Sequence, residues 1–193
     1  MDATRGSSSP YLARKDTLSG IDLFPGVEDL LAWFKNVGYR CAHFYKADFL
    51  TFSSPERYDI VCSFGFIEHF KNWPEVLDKH LELLNPGGKI VLDVPNLNSP
   101  LYHTLYTVLE PNTLDNHVLG VMNLESITKV LEARGCRITY AGYVGHFYFR
   151  FVTKQGVLYR DIENLLNFFG PLWKLFPDSL YKRYIGVIAT KDR

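Results

Sequence analysis

The chain has 193 residues, 47% of them hydrophobic and 15% aromatic, which is material for one sizeable buried core. Its 21 basic and 21 acidic residues cancel to a formal charge of zero, so no electrostatic footprint for nucleic acid stands out and none is expected as a partner. No stretch reads as a signal peptide or as an apolar span long enough to cross a bilayer, and Cys41, Cys62 and Cys136 lack C-x-x-C spacing; we expect a cytoplasmic protein with buried free thiols and no stable membrane insertion.

Residues 19–24 predict a short strand. Val27, Leu30, Leu31 and Phe34 then recur at helical spacing until Gly38. "YRCAHFYKADF" predicts the next strand and "YDIVCSF" the one after. Asn72 can cap a helix that tolerates Pro74 in its first turn, buries Leu77, Leu81 and Leu84, and ends at Asn-Pro-Gly-Gly. "KIVLDV" predicts a strand buried on both faces. Residues 98–122 read as a loop-rich excursion. Asn123 caps a further helix carrying Leu124, Ile127, Val130 and Leu131, closed by Gly135. "RITYAGYV" and "RYIGVIATK" predict the last two strands, with an aromatic helical segment between them. Alternating strands and helices imply an α/β fold of Rossmann-like, doubly wound type: a mostly parallel sheet with helices on both faces, in a single domain spanning 1–193.

Residues 58–70, Tyr-Asp-Ile-Val-Cys-Ser-Phe-Gly-Phe-Ile-Glu-His-Phe, carry the most chemistry. An apolar strand enters a glycine-containing turn, and Glu-His follows, which is how a parallel sheet presents a ligand crevice at the carboxyl end of a strand. The stretch resembles the fourth-strand motif of class I S-adenosylmethionine-dependent methyltransferases. "SGIDLFP" resembles that family's second strand, "KADF" its third, and "LLNPGGKIVLDVPN" its turn and fifth strand. No one block is specific; their order is.

The family begins with a strand, a glycine-rich turn and a helix that cradle the methionine end of the cofactor. Here "RGSSSPYLA" resembles a degenerate turn, with Gly6 the surviving glycine and a plain tail the alternative. The resemblance thus implies a first strand that is missing or truncated here. That strand is central in the family's sheet, and leaving its neighbours unpaired costs about 1–3 kcal/mol per buried polar group. We therefore expect upstream residues, or a strand from a second copy, to fill the slot between the strands of Asp22 and Asp59.

Site residues follow from the resemblance one at a time. Asp22, with Leu23 beside it, matches the acidic position that accepts hydrogen bonds from the cofactor ribose; the bland alternative is a helix-capping Asp. Asp48 matches the adenine contact and Phe49 the residue lying against the ring, although an Asp at a strand end is also an ordinary turn former. Ser63 and Phe64 match the lining of the sulfonium end. In one subgroup a Glu-x-x-Glu-His cluster binds a divalent metal, but Gly65 stands here where the first glutamate would be. Two oxygen ligands become one, so no metal is expected. Glu68 reads as structural. His69 is either a general base or a holder of the loop. His117 matches a family histidine on the acceptor side and is the first candidate for acceptor contact or proton removal.

The resemblance implies S-adenosylmethionine as cofactor and methyl transfer to an oxygen or nitrogen of a small molecule; a non-catalytic methyltransferase-like module is the other reading. Segments 98–122 and 152–183 are expected to form acceptor-side or lid insertions. The aromatic stripe Leu165, Leu166, Phe169 and Trp173 reads as core, as an acceptor lid, or as the contact of a homodimer.

Overall fold

The computed structural model describes residues 16–23 and 25–192. They fall into two compact units, Met1–Pro55 and Glu56–Arg193, and each is taken by itself. The expected glycine turn at Gly6, with the helix after it, lies outside the described residues.

In the first unit, strand β1 (Thr17–Asp22) pairs in parallel with β2 (Arg40–Lys46), and helix α1 (Val27–Asn36) makes the crossover. β1 starts and stops two residues earlier than the pattern predicts; the chain turns at Pro25 and Gly26, and Gly26 caps α1. Phe34 of α1 and Tyr39 are buried, with Leu18, Leu30, Cys41 and Phe44 packed against them. Phe34 meets Tyr39 edge-on at 5.5 Å between ring centroids, a favoured aromatic geometry. Gly20 is required by this packing, because a Cβ there would come within 2.9 Å of the Phe44 ring.

The second unit holds a four-stranded sheet in the order β3-β4-β6-β5: β3 (Tyr58–Phe64), β4 (Leu84–Pro95), β5 (Cys136–Val144) and β6 (Tyr184–Lys191). β3 and β4 are parallel, whereas β6 runs antiparallel to both β4 and β5. The α/β fold with parallel strands is thus as expected, and the last strand inserts in the opposite sense between its neighbours. Among the described residues β1 pairs only with β2 and β3 only with β4, so the strands of Asp22 and Asp59 belong to different sheets. β4 alternates instead of being covered evenly: Ile90, Leu92 and Val94 are buried, Val91 and Asp93 half-buried and Lys89 exposed. Each of those three fully buried side chains contributes roughly 1.5–3 kcal/mol of burial free energy.

Helix α2 (Trp73–Glu82) follows Asn72 as expected, but Asn72 donates to the Glu75 carboxylate and makes no side-chain cap. Segment 98–122 is helical where loop was expected: α3 (Pro100–Leu109), α4 (Pro111–Asp115) and a 3-10 turn at Leu119–Val121. Ser99 caps α3 by accepting from the Tyr102 amide, and Pro100 suits the first helical position. Helix α5 (Leu124–Ala133) is capped by Asn123, whose Oδ1 accepts from Ser126 N, and Arg134 after it pairs with Asp78 of α2. The aromatic segment comprises α6 (Val157–Phe168), a 3-10 helix (Gly170–Leu175) and α7 (Asp178–Tyr181). Of the thiols only Cys136 is buried; Cys41 is half-buried and Cys62 exposed, which corrects the expectation for those two.

Candidate active site

The site grows from the end of β3. Pairing of Phe64 with Asp93 of β4 brings the chain to Gly65, whose φ of 59° is the left-handed conformation that glycine adopts without strain. The Gly65 amide donates to both the backbone oxygen and Oδ1 of Asp93, each at 3.1 Å. This turn delivers the 3-10 helix Ile67–His69, in which Ile67 and Glu68 are buried.

A second segment closes on the first. The amide of Val118 donates to the Glu68 carbonyl at 2.7 Å, and His69 Nδ1 contacts the Asn116 carbonyl at 3.0 Å. His117 Nδ1 in turn contacts the Thr113 carbonyl, one turn back in α4. A carbonyl can only accept, so both Nδ1 atoms donate, and in the uncharged form of each ring the lone pair lies on Nε2. The two imidazoles lie 4.6 Å apart between centroids. The Glu68 carboxylate completes the group, with Oε1 at 3.7 Å from His69 Nε2 and Oε2 buried without a hydrogen-bond partner. His117 and His69, read from sequence as separate candidates, thus share one cluster. His117 sits against the Glu-His that follows the motif strand, instead of standing apart from it.

The electrostatics match the burial. Burial pushes the Glu68 carboxyl up to about 8, with Asp93 adding to the rise and the residue's own amide opposing it. Asp93 is pushed up to about 6 by burial, against the hydrogen bond from Gly65. Burial lowers His69 and proximity to His117 adds to that, while the Asn116 carbonyl works the other way. His69 is therefore a neutral imidazole at pH 7.

The cofactor candidates divide between the units. Ser63 is buried and Phe64 exposed at the end of β3. In the first unit Asp22 ends β1, and its carbonyl accepts from Ala47 N at 3.1 Å, which holds the two strand ends level. Asp48 Oδ1 accepts from Leu50 N at 3.0 Å, so this residue does form the turn that its type suggests. Phe49 is half-buried, and Leu23 is 68% exposed. Two carboxylates at the same end of a parallel strand pair are hydrogen-bond acceptors, a donor–acceptor chemistry that fits the hydroxyls of a ribose and an adenine amino group.

Three buried or half-buried polar residues escaped sequence reasoning. Asp93 could have been noticed as a charge inside an apolar strand. Asn96 is buried just beyond β4, where its Nδ2 donates to the carbonyls of Ser179 and Lys182 and pins the C-terminal segment. A cavity of about 370 Å³ opens beside it, lined by Asn98, Met122, Asn123 and Tyr143 among others. Glu110 is fully buried and accepts from the Thr153 amide and hydroxyl and the Lys154 amide. Burial alone would raise its pKa, but these hydrogen bonds outweigh it and hold the carboxyl below its ordinary value.

The expected stripe is divided: Leu166 and Trp173 are half-buried, with the Trp173 ring 5.7 Å from that of Phe147, whereas Leu165 and Phe169 are exposed. Asn167 exchanges two hydrogen bonds with the backbone of Phe149, at 2.8 Å each, and Glu163 accepts from Phe151 N. These polar side chains point inward, while Leu165, Phe168 and Phe169 are exposed. Phe147, Phe149 and Phe151, in the strand-like run before the helix, are buried, as is Tyr181 after it.

A methyltransferase domain family matches residues 6–141. Among solved structures, the chain is similar to the N-methyltransferase NodS from Bradyrhizobium japonicum WM9, at 13% identity over 92% of this chain and 74% of that one, with a TM-score of 0.51. A putative methyltransferase from Bacillus halodurans C-125 gives 16% identity, coverage of 92% and 84%, and a TM-score of 0.60. A SAM-dependent methyltransferase from Archaeoglobus fulgidus gives 19% identity, coverage of 91% and 86%, and a TM-score of 0.56. No curated protein matches the sequence.

Proposed function

The chain belongs to the methyltransferase domain family, and from that premise we propose that it methylates an oxygen or nitrogen of a small-molecule acceptor. It is an enzyme that depends on S-adenosylmethionine, which when bound supplies an electrophilic methyl group. Everything else is left to the residues. Asp22 and Asp48 suit the ribose and adenine, and Ser63 and Phe64 suit the sulfonium end.

The observation that carries the acceptor reading is the pair of imidazoles. Each has Nδ1–H committed to a backbone carbonyl, which fixes the ring and leaves Nε2 basic. An acceptor O–H or N–H must lose a proton as it is methylated, and an imidazole held by its Nδ1 presents Nε2 to take it. His117 is the first candidate for that role, with His69 beside it. Orientation of the acceptor against the methyl supplies much of the remaining acceleration.

The experiment is kinetic. With an acceptor found by screening labelled S-adenosylmethionine, His117→Ala should lower kcat about a hundredfold while the affinity for S-adenosylhomocysteine stays within about twofold. Unchanged turnover removes His117 from the reaction; a large fall in cofactor affinity contradicts its acceptor-side position. The exposed apolar face of α6 and the following 3-10 helix is read as the contact between two copies of the chain, tested below.

A further inference from the structure

Resting on the methyl-transfer reading above, we propose that the cavity beside Asn96 is a recognition site for a neutral, sugar-like ring of the acceptor. The topology sets its place. β6 runs antiparallel to both β4 and β5, so β4 and β5 point the same way, and β3 is parallel to them. Asn98 follows the end of β4, and Tyr143 lies next to the last residue of β5. The cavity that they line thus opens on the same edge of the sheet as the Gly65 turn after β3, the edge where α/β sheets bind ligands. Part of its wall comes from the excursion that carries His117. Met122 and Asn123 directly follow the 3-10 turn Leu119–Val121, which begins where Val118 N bonds to the Glu68 carbonyl. Neighbouring strands are about 4.8 Å apart, so the end of β4 is within reach of a small molecule whose reacting group stands by the imidazoles.

The lining is polar yet uncharged. Among the described residues that form it there is no Asp, Glu, Lys, Arg or His. A charged ligand would find no counter-ion there, and a desolvated charge without a partner is costly. An apolar ligand would leave the lining amides unpaired. Asn123 spends Oδ1 on the Ser126 amide, and its Nδ2 has no partner among the described residues. The Asn98 side chain and the Tyr143 hydroxyl likewise make no hydrogen bond among them. Asn96 has a different task. Its Nδ2 donates to the carbonyls of Ser179 and Lys182, which pins the segment holding Ser179 and Leu180 against the end of β4.

These groups select a polyol. An amide side chain presents a donor and an acceptor side by side, and a hydroxyl does both from one oxygen, so two neighbouring ring hydroxyls satisfy one Asn at both ends. A pyranose also has C–H faces, which suit the apolar part of the lining, Pro100, Met122, Pro177 and Leu180. The volume of about 370 Å³ lies at the small end of ligand pockets, which run from about 300 to 1,000 Å³, and fits a single sugar ring with room for its link to the rest of the acceptor. The cavity's work is recognition: it holds the ring while the group to be methylated stands at the imidazoles.

The test uses the whole chain, with methyl glucopyranoside and methyl N-acetylglucosaminide as probes and glucuronate and phenol as charged and apolar controls. Saturation-transfer NMR should show at least one neutral glycoside bound, in the range of about 1–10 mM normal for so small a ligand, and neither control. Asn98→Asp and Asn123→Asp each exchange an amide donor for a negative charge at an exposed position, and Asp at 123 still caps α5. Each should weaken the glycoside by about tenfold or more, with circular dichroism unchanged. Asn164→Asp, at an exposed position of α6 outside the lining, should bind as the parent does. No transfer to either glycoside overturns the proposal. So does equal transfer to glucuronate or phenol, parental binding in both Asn98→Asp and Asn123→Asp, or loss of binding in Asn164→Asp. In the screen with labelled S-adenosylmethionine, methyl should go to acceptors that carry a neutral glycosyl group, and methylation confined to acceptors without one also overturns it. Calorimetry with S-adenosylhomocysteine on the same samples separates the two readings. Cofactor binding without glycoside binding removes the sugar site alone, whereas glycoside binding without cofactor binding removes methyl transfer and with it the acceptor role.

Discussion

At the scale of single residues, two side chains have consequences that can be measured without knowing the acceptor. Asp22 ends β1 level with the close of β2, where a carboxylate can accept from both ribose hydroxyls. Asp22→Ala should weaken S-adenosylhomocysteine about ten- to a hundredfold by calorimetry, since charge-assisted hydrogen bonds are worth about 1.5–3 kcal/mol. An unchanged dissociation constant in a folded variant would remove the ribose assignment. His80 concerns stability. It is 2% exposed in α2, and burial pushes its pKa down to about 4 from 6.5, against the pull of the Val76 carbonyl. The unfolded chain takes a proton near pH 6.5 that the folded chain refuses until about 4. Stability from this residue is therefore complete above pH 6.5, falls as pH drops through the window, and levels off below 4. The loss across the window is on the order of 3 kcal/mol. His80→Leu should flatten that part of the curve; parallel melting profiles for parent and variant between pH 7 and 4 would show that His80 does not titrate this way.

At the scale of elements, the segment between β5 and β6 is held by polar side chains acting as substitutes for a sheet neighbour. Asn167 mimics a bridge partner for Phe149, and Glu110 at the end of α3 gathers the amides of Thr153 and Lys154. Buried hydrogen bonds to a charged acceptor are the strong kind, and removing the acceptor leaves several donors unpaired. Glu110→Ala should destabilise the protein by about 2–4 kcal/mol and accelerate amide exchange at Thr153 and Lys154 more than elsewhere. Exchange that rises evenly over the whole unit would mean that Glu110 has no special hold on this loop. The periodicity of α6 could not reveal the arrangement. An amphipathic pattern says which face is apolar, not that the apolar face is the buried one.

At the scale of the molecule, the segment from α6 to the following 3-10 helix presents apolar side chains to solvent. Phe168 is 75% exposed and Leu175 84%, with Leu165, Phe169, Leu172 and Phe176 also exposed. Residues 164–177 carry a single charge, Lys174, so two copies could meet there with little repulsion. Exposed apolar side chains gathered on one segment suit an interaction site. The parent chain should therefore show a concentration-dependent mass by light scattering, and the pair Phe168→Asp with Leu175→Asp should run as a monomer. A parent monomeric at all concentrations would exclude the homodimer. No helix among the described residues is long and apolar enough to cross a membrane.

Much of this protein was legible in order along the chain. β3 from Tyr58 to Phe64 and the helix starting at Val27 follow from local periodicity, because alternation and helical spacing are properties of neighbours in sequence. The methyltransferase family could likewise be read from the succession of short blocks around "YDIVCSFGFIEHF". What local pattern could not decide was anything set by long-range pairing. Segment 98–122 has the local pattern of a loop because its helices are short and start at prolines, and their stability comes from packing. The sense of β6 depends on its antiparallel ladders to β4 and β5, which no residue in "YIGVIATK" encodes alone. The cluster at Glu68 is the sharpest case. Sequence offered one Glu-His pair, and His117 lies beside it where Val118 N bonds to the Glu68 carbonyl. Adjacent residues can announce a strand or a turn, but a site assembled across some fifty residues exists only once the backbone between them has folded.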